Sequence, residues 1–479
     1  MFLPIGTGSG RLPISSEDKV KRTHSSIRIH VPRARFAVCL GLFAVLLSFS
    51  ESKSATGVTY GGAGFIQVGG IFHSADTVNQ KLNGLGLYSS GAQLSFRYEA
   101  EKLEINAGLG VVNGNFINGK IGGYAPAMMS PYVVDASLTY SFLKREGAEV
   151  SLRAGDFAYN YNPDVKNLGL YLLRGPLYPG VLISGFENKY VVSVANLLGV
   201  QFHHAFGNFE GDLIFKSDAD YYPFFDISPA YIASYKWGGL RVGGGINLYH
   251  ILPMDDSLTT SRSWFYVDST GHNANPATPL DTSYISFKGI KLMANASLDI
   301  KPLLGGIDAL GPEDLKIYGE VALLGLDRDK AHNALYGDLQ HRMPIMGGFN
   351  FPTFKLLDHL SLEIEWYGAK YADDLRGFRY TAASHPTPIP MNPLDPYGTP
   401  QPDVPSNPPP FNYKRDNWKW SLHASRTFAG HMKVTGQVAN DHFRPGIYTG
   451  DSDNSPPGSE AVTITPMDWY GMLQVAYFF

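Results

Sequence analysis

From Val58 onward, apolar residues return at every second position, and the pattern repeats in hairpin after hairpin. In 94–111, Leu94, Phe96, Tyr98 and Ala100 alternate with Ser95, Arg97 and Glu99. A turn at Glu101-Lys102 follows, and then Leu103, Ile105, Ala107, Leu109 and Val111 alternate with Glu104, Asn106, Gly108 and Gly110. A period of two places the two sets on opposite faces of a β-strand. One face is apolar throughout and the other polar or small, so each strand needs an apolar medium on one side only. The runs have about the ten residues with which a tilted strand crosses a bilayer.

The same unit recurs around turns at 144–147, Gly238-Gly239 and Ala429-Gly430. Short turns alternate with long connections at 74–89, 114–131, 159–189, 218–228, 252–283, 327–339, 371–415 and 443–467. Transmembrane barrels have this asymmetry, with short periplasmic turns and long outer loops. The reading predicts an all-β transmembrane antiparallel barrel with strands at 58–73, 90–100, 103–113, 132–142, 148–158, 190–204, 209–217, 229–237, 240–251, 284–300, 314–326, 340–350, 357–370, 416–427, 431–442 and 468–479. That is an even count, about 16 strands; splitting 181–204 gives 18. The segment 340–350 contains Pro344, which a strand tolerates only at an end, an edge or a bulge. The segment 371–415 is proline-rich and reads as an outer loop.

The two ends carry export and closure signals. Lys19, Lys21, Arg22, Arg28, Arg33 and Arg35 precede an apolar run over 36–49, so 1–55 reads as a signal peptide with its n-region and 56–479 as the barrel. Cys39, the one cysteine, lies inside that apolar run, which leaves the mature chain without thiols. Beyond it no apolar run is long enough for a membrane helix. Residues from 56 onward hold 31 basic and 40 acidic side chains, which argues against a nucleic-acid partner. Leu473, Val475, Tyr477 and Phe479 alternate at the C-terminus. They resemble the signature that the barrel-assembly machinery recognises. Trp237, Trp366, Trp418, Trp469 and Tyr477 fall near strand ends, where membrane-interface girdles need aromatic rings.

Five further stretches carry a family resemblance: Asn160 to Asp164, Asn167 to Tyr171, Leu177 to Gly180, Asp314 to Tyr318 and Pro352 to Asp358. They resemble an uncharacterised family of fibrobacter-type outer-membrane β-barrel proteins. The resemblance implies a barrel in the cell outer membrane and no established activity. General porins are similar in architecture alone.

In sixteen-stranded porins the third outer loop folds into the lumen and narrows it, and 159–189 is the third outer loop by strand count. Its charged residues Asp164, Lys166, Arg174 and Glu187 are the constriction candidates. The alternative is a loop packed over the mouth. Charges at alternate strand positions need water beside them, since facing lipid they would cost about 2–4 kcal/mol each for Arg or Lys. Arg97, Glu99, Glu104, Asp135, Arg153, Glu320, Glu363 and Glu365 are therefore lumen-wall candidates, with Glu363 and Glu365 suggesting weak cation preference. They could instead pair across the wall.

Enzyme readings lack support: there is no phosphate-binding loop, and the Gly-rich 61–64 lies within a strand. His203 and His204 are adjacent, so they face opposite sides of a strand and make a poor metal pair. No catalytic residue, metal or cofactor is expected. The expectation is a porin-like channel for passive diffusion of small hydrophilic solutes, with outer-membrane lipid and the barrel-assembly machinery as partners and, by analogy with porins, a homotrimer. The alternative is a structural or surface-binding barrel, contacting glycans or other cells through its loops, without an open pore.

Overall fold

The computed structural model describes residues 57–73, 86–113, 129–173, 195–217, 226–249, 251–252, 254, 260–261, 285–286, 289–305, 307–324, 326, 343–366, 418–440 and 469–479. The strands are β1 (Val58–His73), β2 (Gly86–Glu99), β3 (Leu103–Asn113), β4 (Met129–Arg145), β5 (Ala148–Tyr159), β6 (Ala195–Phe206), β7 (Phe209–Ser217), β8 (Ile227–Trp237) and β9 (Leu240–Tyr249). There follow β10 (Thr260–Ser261), β11 (Ile285–Ser286), β12 (Gly289–Asp299), β13 (Lys316–Leu324), β14 (Ile345–Asn350), β15 (His359–Trp366), β16 (Trp418–Phe428), β17 (Met432–Ala439) and β18 (Trp469–Phe478). β10 and β11 form a separate two-stranded ribbon. The other sixteen pair antiparallel with their chain neighbours and close, β18 against β1, into one barrel. No helix among the described residues is long and apolar enough to cross a membrane.

The alternation sorts side chains as expected. Tyr98, Ile105 and Leu138 stand opposite one another across β2, β3 and β4, all exposed on the outer face. On the same strands Arg97, Asn106 and Ser137 form the matching inner row. A closed wall satisfies every strand's backbone and leaves no edge, as a lipid-exposed sheet requires.

Where strand limits differ from the sequence reading, local chemistry gives the reason. β14 starts after Pro344, whose missing N–H would break the ladder. The Pro344 carbonyl still accepts from the Ala322 N–H at 3.1 Å. β12 starts at Gly289, and the residues read as its beginning contribute Ile285-Ser286 to the small ribbon. β6 starts at Ala195, so the described part of 181–204 contributes one strand and the barrel count is sixteen.

At the seam, the Phe479 N–H donates to the Gly62 carbonyl at 3.1 Å and the Gly62 N–H donates back at 3.0 Å. The Phe479 ring occupies the space that a side chain at 62 would need. Residues 1–55 and the proline-rich 371–415 lie outside the described residues.

Candidate functional site: an inward loop clamped by wall carboxylates

β5 ends on Phe157 and Tyr159, both buried inside the barrel. The Tyr159 hydroxyl donates to Asp212 on β7 at 2.7 Å. Residues 160–173 turn into the lumen. Tyr161, Leu168, Tyr171 and Leu172 pack in one apolar cluster with inward residues of the wall, among them Ile214, Ile232, Met293, Tyr318 and Met346. On β9, two strands along the wall from β13, Asn247 Nδ2 donates to the Leu172 carbonyl at 3.0 Å.

This loop carries no regular structure, so its buried N–H groups need partners that the wall must supply. Two carboxylates do so, and a third takes a loop hydroxyl. Glu363 on β15 accepts from the N–H groups of Lys166 (2.6 Å), Asn167 (2.9 Å) and Leu168 (2.7 Å), and from the Tyr318 hydroxyl (2.9 Å). Glu320 on β13 accepts from the Tyr161 hydroxyl (2.7 Å), Asn162 Nδ2 (3.2 Å) and the Tyr171 N–H (2.7 Å). Glu365 accepts from the Tyr171 hydroxyl at 2.7 Å. Gly169 (φ 83°) and Leu170 (φ 56°) both lie in the left-handed region, and this reversal brings the Tyr171 N–H back to the carboxylate that Tyr161 and Asn162 already engage. Such a conformation costs a leucine about 1–3 kcal/mol, which the surrounding bonds must offset.

The loop dips deep before it returns. Lys316, the first residue of β13, binds Asp164 at 3.1 Å and Glu313 at 2.8 Å, and Glu313 also takes Lys166 at 3.0 Å. Glu313 belongs to the turn between β12 and β13, at the short-turn end of the barrel. Burial works against ionisation of Glu313, but Lys166 and Lys316 hold its carboxyl below its ordinary value. Its neighbour Asp314 is also buried. It accepts from the Gly311 N–H at 2.8 Å, the Thr353 hydroxyl at 2.8 Å and the Phe354 N–H at 3.2 Å. Against the effect of burial, these bonds hold its carboxyl low. The turns 300–315 and 351–358 are thereby tied into one platform beneath the loop. Four of the five stretches quoted for the family resemblance, far apart in sequence, meet at this loop and platform.

Of the sequence-selected residues, Asp164 and Lys166 sit in the deepest part of the loop; Arg174 and Glu187 lie outside the described residues. The expectation of water beside Glu320, Glu363 and Glu365 is corrected. Their exposures are 3%, 0% and 0%, and their lone pairs hold the loop, so the cation preference argued from Glu363 and Glu365 loses its basis. Alternation reports which face a side chain takes, and does not report what covers that face. The remaining wall candidates differ. Arg97 is half-exposed and binds Glu104 at 2.9 Å and Glu99 at 3.4 Å, while Arg153 binds Asp135 at 2.9 Å. On β7 to β9, Glu210 pairs with Arg241 at 2.7 Å and Lys236 at 3.4 Å. These charges are partly exposed and paired with opposite sign along the wall.

His203 faces inward onto Asp212 at 2.7 Å, and His204 stacks outward among Phe206, Phe209 and Tyr231. Among the described residues, no group of three or more His, Cys, Asp or Glu could hold a metal ion. Sequence reasoning missed Glu313, Lys316, Tyr161, Asn162 and Tyr171. The available signal was a lysine opening a strand two positions after a Glu-Asp pair, in a chain whose third outer loop is rich in tyrosine and asparagine.

No family model matches the chain, and no curated protein matches it. Among solved structures, it is similar to a variant of a Rhodopseudomonas blastica porin with three substitutions, at 10% identity and TM-score 0.41 over 88% of this chain and 100% of that one. A second triple mutant of that porin matches with TM-score 0.39, and a structure described as "Asymmetric conductivity of engineered proteins" with 0.40, at the same identity and coverage. At this distance the likeness carries no functional inference.

Proposed function

We propose that the chain is an outer-membrane barrel acting as a porin-like channel for passive diffusion of small hydrophilic solutes, narrowed by the inward loop 160–173. The observation that carries this reading is the combination of an inner wall over β2 to β5 lined by partly exposed ion pairs with a loop clamped to the opposite wall by Glu320, Glu363 and Glu365. An apolar outer face supports membrane insertion: Leu94, Phe96, Leu138, Phe202, Phe215 and Leu473 are all exposed there. Trp237 at one end of the wall and Trp418 and Trp469 at the other support interface girdles. In this reading, Leu473, Val475, Tyr477 and Phe479 serve the assembly machinery, and paired wall charges give little ion preference.

A second reading, a surface-binding barrel without an open pore, draws on the depth to which the loop fills the β13–β15 side. Planar-bilayer recordings on the purified barrel separate the two. Reproducible open channels of weak ion selectivity support the first; a silent membrane containing correctly folded barrel refutes it and leaves the second.

A further inference from the structure

The short turns of this barrel are of two kinds. Five are tight and polar or glycine-rich, such as Glu101-Lys102, Gly207-Asn208 and Gly238-Gly239. The other two, 300–315 and 351–358, are long, and each presents large apolar side chains to solvent: Leu303, Leu304 and Ile307 on one, Phe354 and Leu356 on the other. Leu356 is 76% exposed and Leu303 72%. An exposed apolar patch fixed in place marks an interaction surface.

The presentation is built into the backbone. Phe354 (φ 53°) and Lys355 (φ 64°) both hold left-handed conformations. Such conformations are strained for residues that bear side chains. Asp314 fixes one side of the turn through the Phe354 N–H. Arg426 fixes the other, donating to the Lys355 carbonyl at 2.7 Å and facing Asp358 at 3.6 Å. Arg426 lies on the outer face of β16, in the row of Leu422 and Ala424, so the tip of the turn is drawn toward the outer rim while Thr353 stays on Asp314 beneath the loop. There its apolar tip continues the exposed outer wall of Phe428 and Ile317. Lys355 and Arg426 stand beside that tip, where a lipid headgroup would meet them.

We propose that 351–358, with 300–307 beside it, is a lipid-contacting foot: Phe354 and Leu356 enter the headgroup–acyl boundary of the periplasmic leaflet, and Lys355 and Arg426 take lipid phosphate. The occupant is the bilayer in which the barrel sits. This inference rests on the membrane reading above. It adds to that reading a second layer of lipid contact, joined through Asp314 and Glu313 to the lumenal loop.

Cysteine probes test it, because Cys39 is the one native cysteine and Cys39→Ser removes it. Leu356→Cys and, separately, Leu303→Cys and Ile364→Cys are labelled with an environment-sensitive fluorophore in the full barrel. Each is reconstituted into phosphatidylethanolamine–phosphatidylglycerol vesicles. Ile364 lies on the outer wall, so its probe reads whether the wall is in lipid at all. The expected result is strong quenching of the Ile364 probe by a deep acyl spin label. The Leu356 and Leu303 probes should be blue-shifted relative to detergent-free urea and quenched by a shallow spin label more than by aqueous iodide. A quenched Ile364 probe with iodide-accessible Leu356 and Leu303 probes overturns the foot and leaves the membrane reading standing. An Ile364 probe open to iodide overturns both.

Discussion

The Glu363 carboxylate on β15 accepts the Leu168 backbone N–H at 2.7 Å across 195 positions of sequence. A loop that leaves one wall thus ends on an acceptor carried by the opposite one. A buried carboxylate is costly to hold without partners. Here it has three N–H donors and the Tyr318 hydroxyl.

Glu363→Gln keeps the shape and removes the match. Both carboxylate oxygens accept from backbone N–H groups, so either orientation of the amide points its NH2 at a donor. We expect the loop to be weakened by about 2–4 kcal/mol, the scale of a lost charged acceptor with its donors left buried. Limited proteolysis of reconstituted protein should cleave within 160–173 in Glu363→Gln and not in the parent. Single-channel conductance should rise in step. Equal cleavage of the two would sink the clamp.

The deep tether has an acid limit. Glu313 is held below its ordinary value of 4.5 by Lys166 and Lys316 against the effect of burial. A carboxyl lowered in the folded state contributes stability above its unfolded pKa and loses it as pH falls through the folded value. The part of the hydrogen-exchange protection of 164–168 that depends on Glu313, read as the difference between the parent and Glu313→Gln, should therefore stay level from neutral pH to about 4.5 and decline below it. Lys316→Met should lower protection at pH 7 already, by a factor of about 5, corresponding to about 1 kcal/mol for a partly exposed pair. It should also flatten the acid limb. An acid limb unchanged by Lys316→Met would assign the pH response elsewhere.

Much of this architecture can be read from the chain. Period-two alternation fixes both faces of a strand at once, so Tyr98, Ile105 and Leu138 mark the outer wall before any coordinates are known. Alternating short and long connections order the sixteen strands and single out the third loop. The role of Glu320, Glu363 and Glu365 is not legible in this way. An inward carboxylate beside water and one beside a buried N–H occupy the same position in the alternation. The contact of Glu363 with Leu168 spans so much sequence that it leaves no local period. Lys316 is hidden for a related reason: a lysine at a strand start is ordinary until a loop arrives from across the lumen.

The two faces should respond unequally to an introduced arginine. Leu138 is exposed on the outer wall, while Asn106 faces inward and donates to Glu104 at 2.9 Å. Leu138→Arg should cost about 2–4 kcal/mol of stability in vesicles, the penalty of an arginine facing lipid near mid-depth. Asn106→Arg should change stability by less than about 1 kcal/mol, since it gains Glu104 as a partner in a solvated wall. Urea titrations of folding into vesicles measure both. Equal costs would contradict the assignment of inside and outside.

Closure depends on one small residue meeting one large one. A Cβ at 62 would run into the Phe479 ring on one side and the Gln93 carbonyl on the other, so Gly62→Val cannot coexist with the terminal ring in its place. The ring must move, and with it the paired backbone bonds between Gly62 and Phe479. Phe479→Ala keeps those bonds and removes only the ring's packing, at about 2–3 kcal/mol for a large apolar side chain. Gly62→Val should therefore reduce the heat-modifiable folded fraction more than Phe479→Ala does. The double variant should recover part of the folding lost in Gly62→Val, because the new methyl groups then enter the space the ring vacated while the contact with the Gln93 carbonyl stays. That rescue separates a steric seam from a simple loss of hydrophobic area, for which the two substitutions would add. Semi-native gel shifts of the three variants, refolded side by side, read the order directly; a double variant below both singles would overturn the seam.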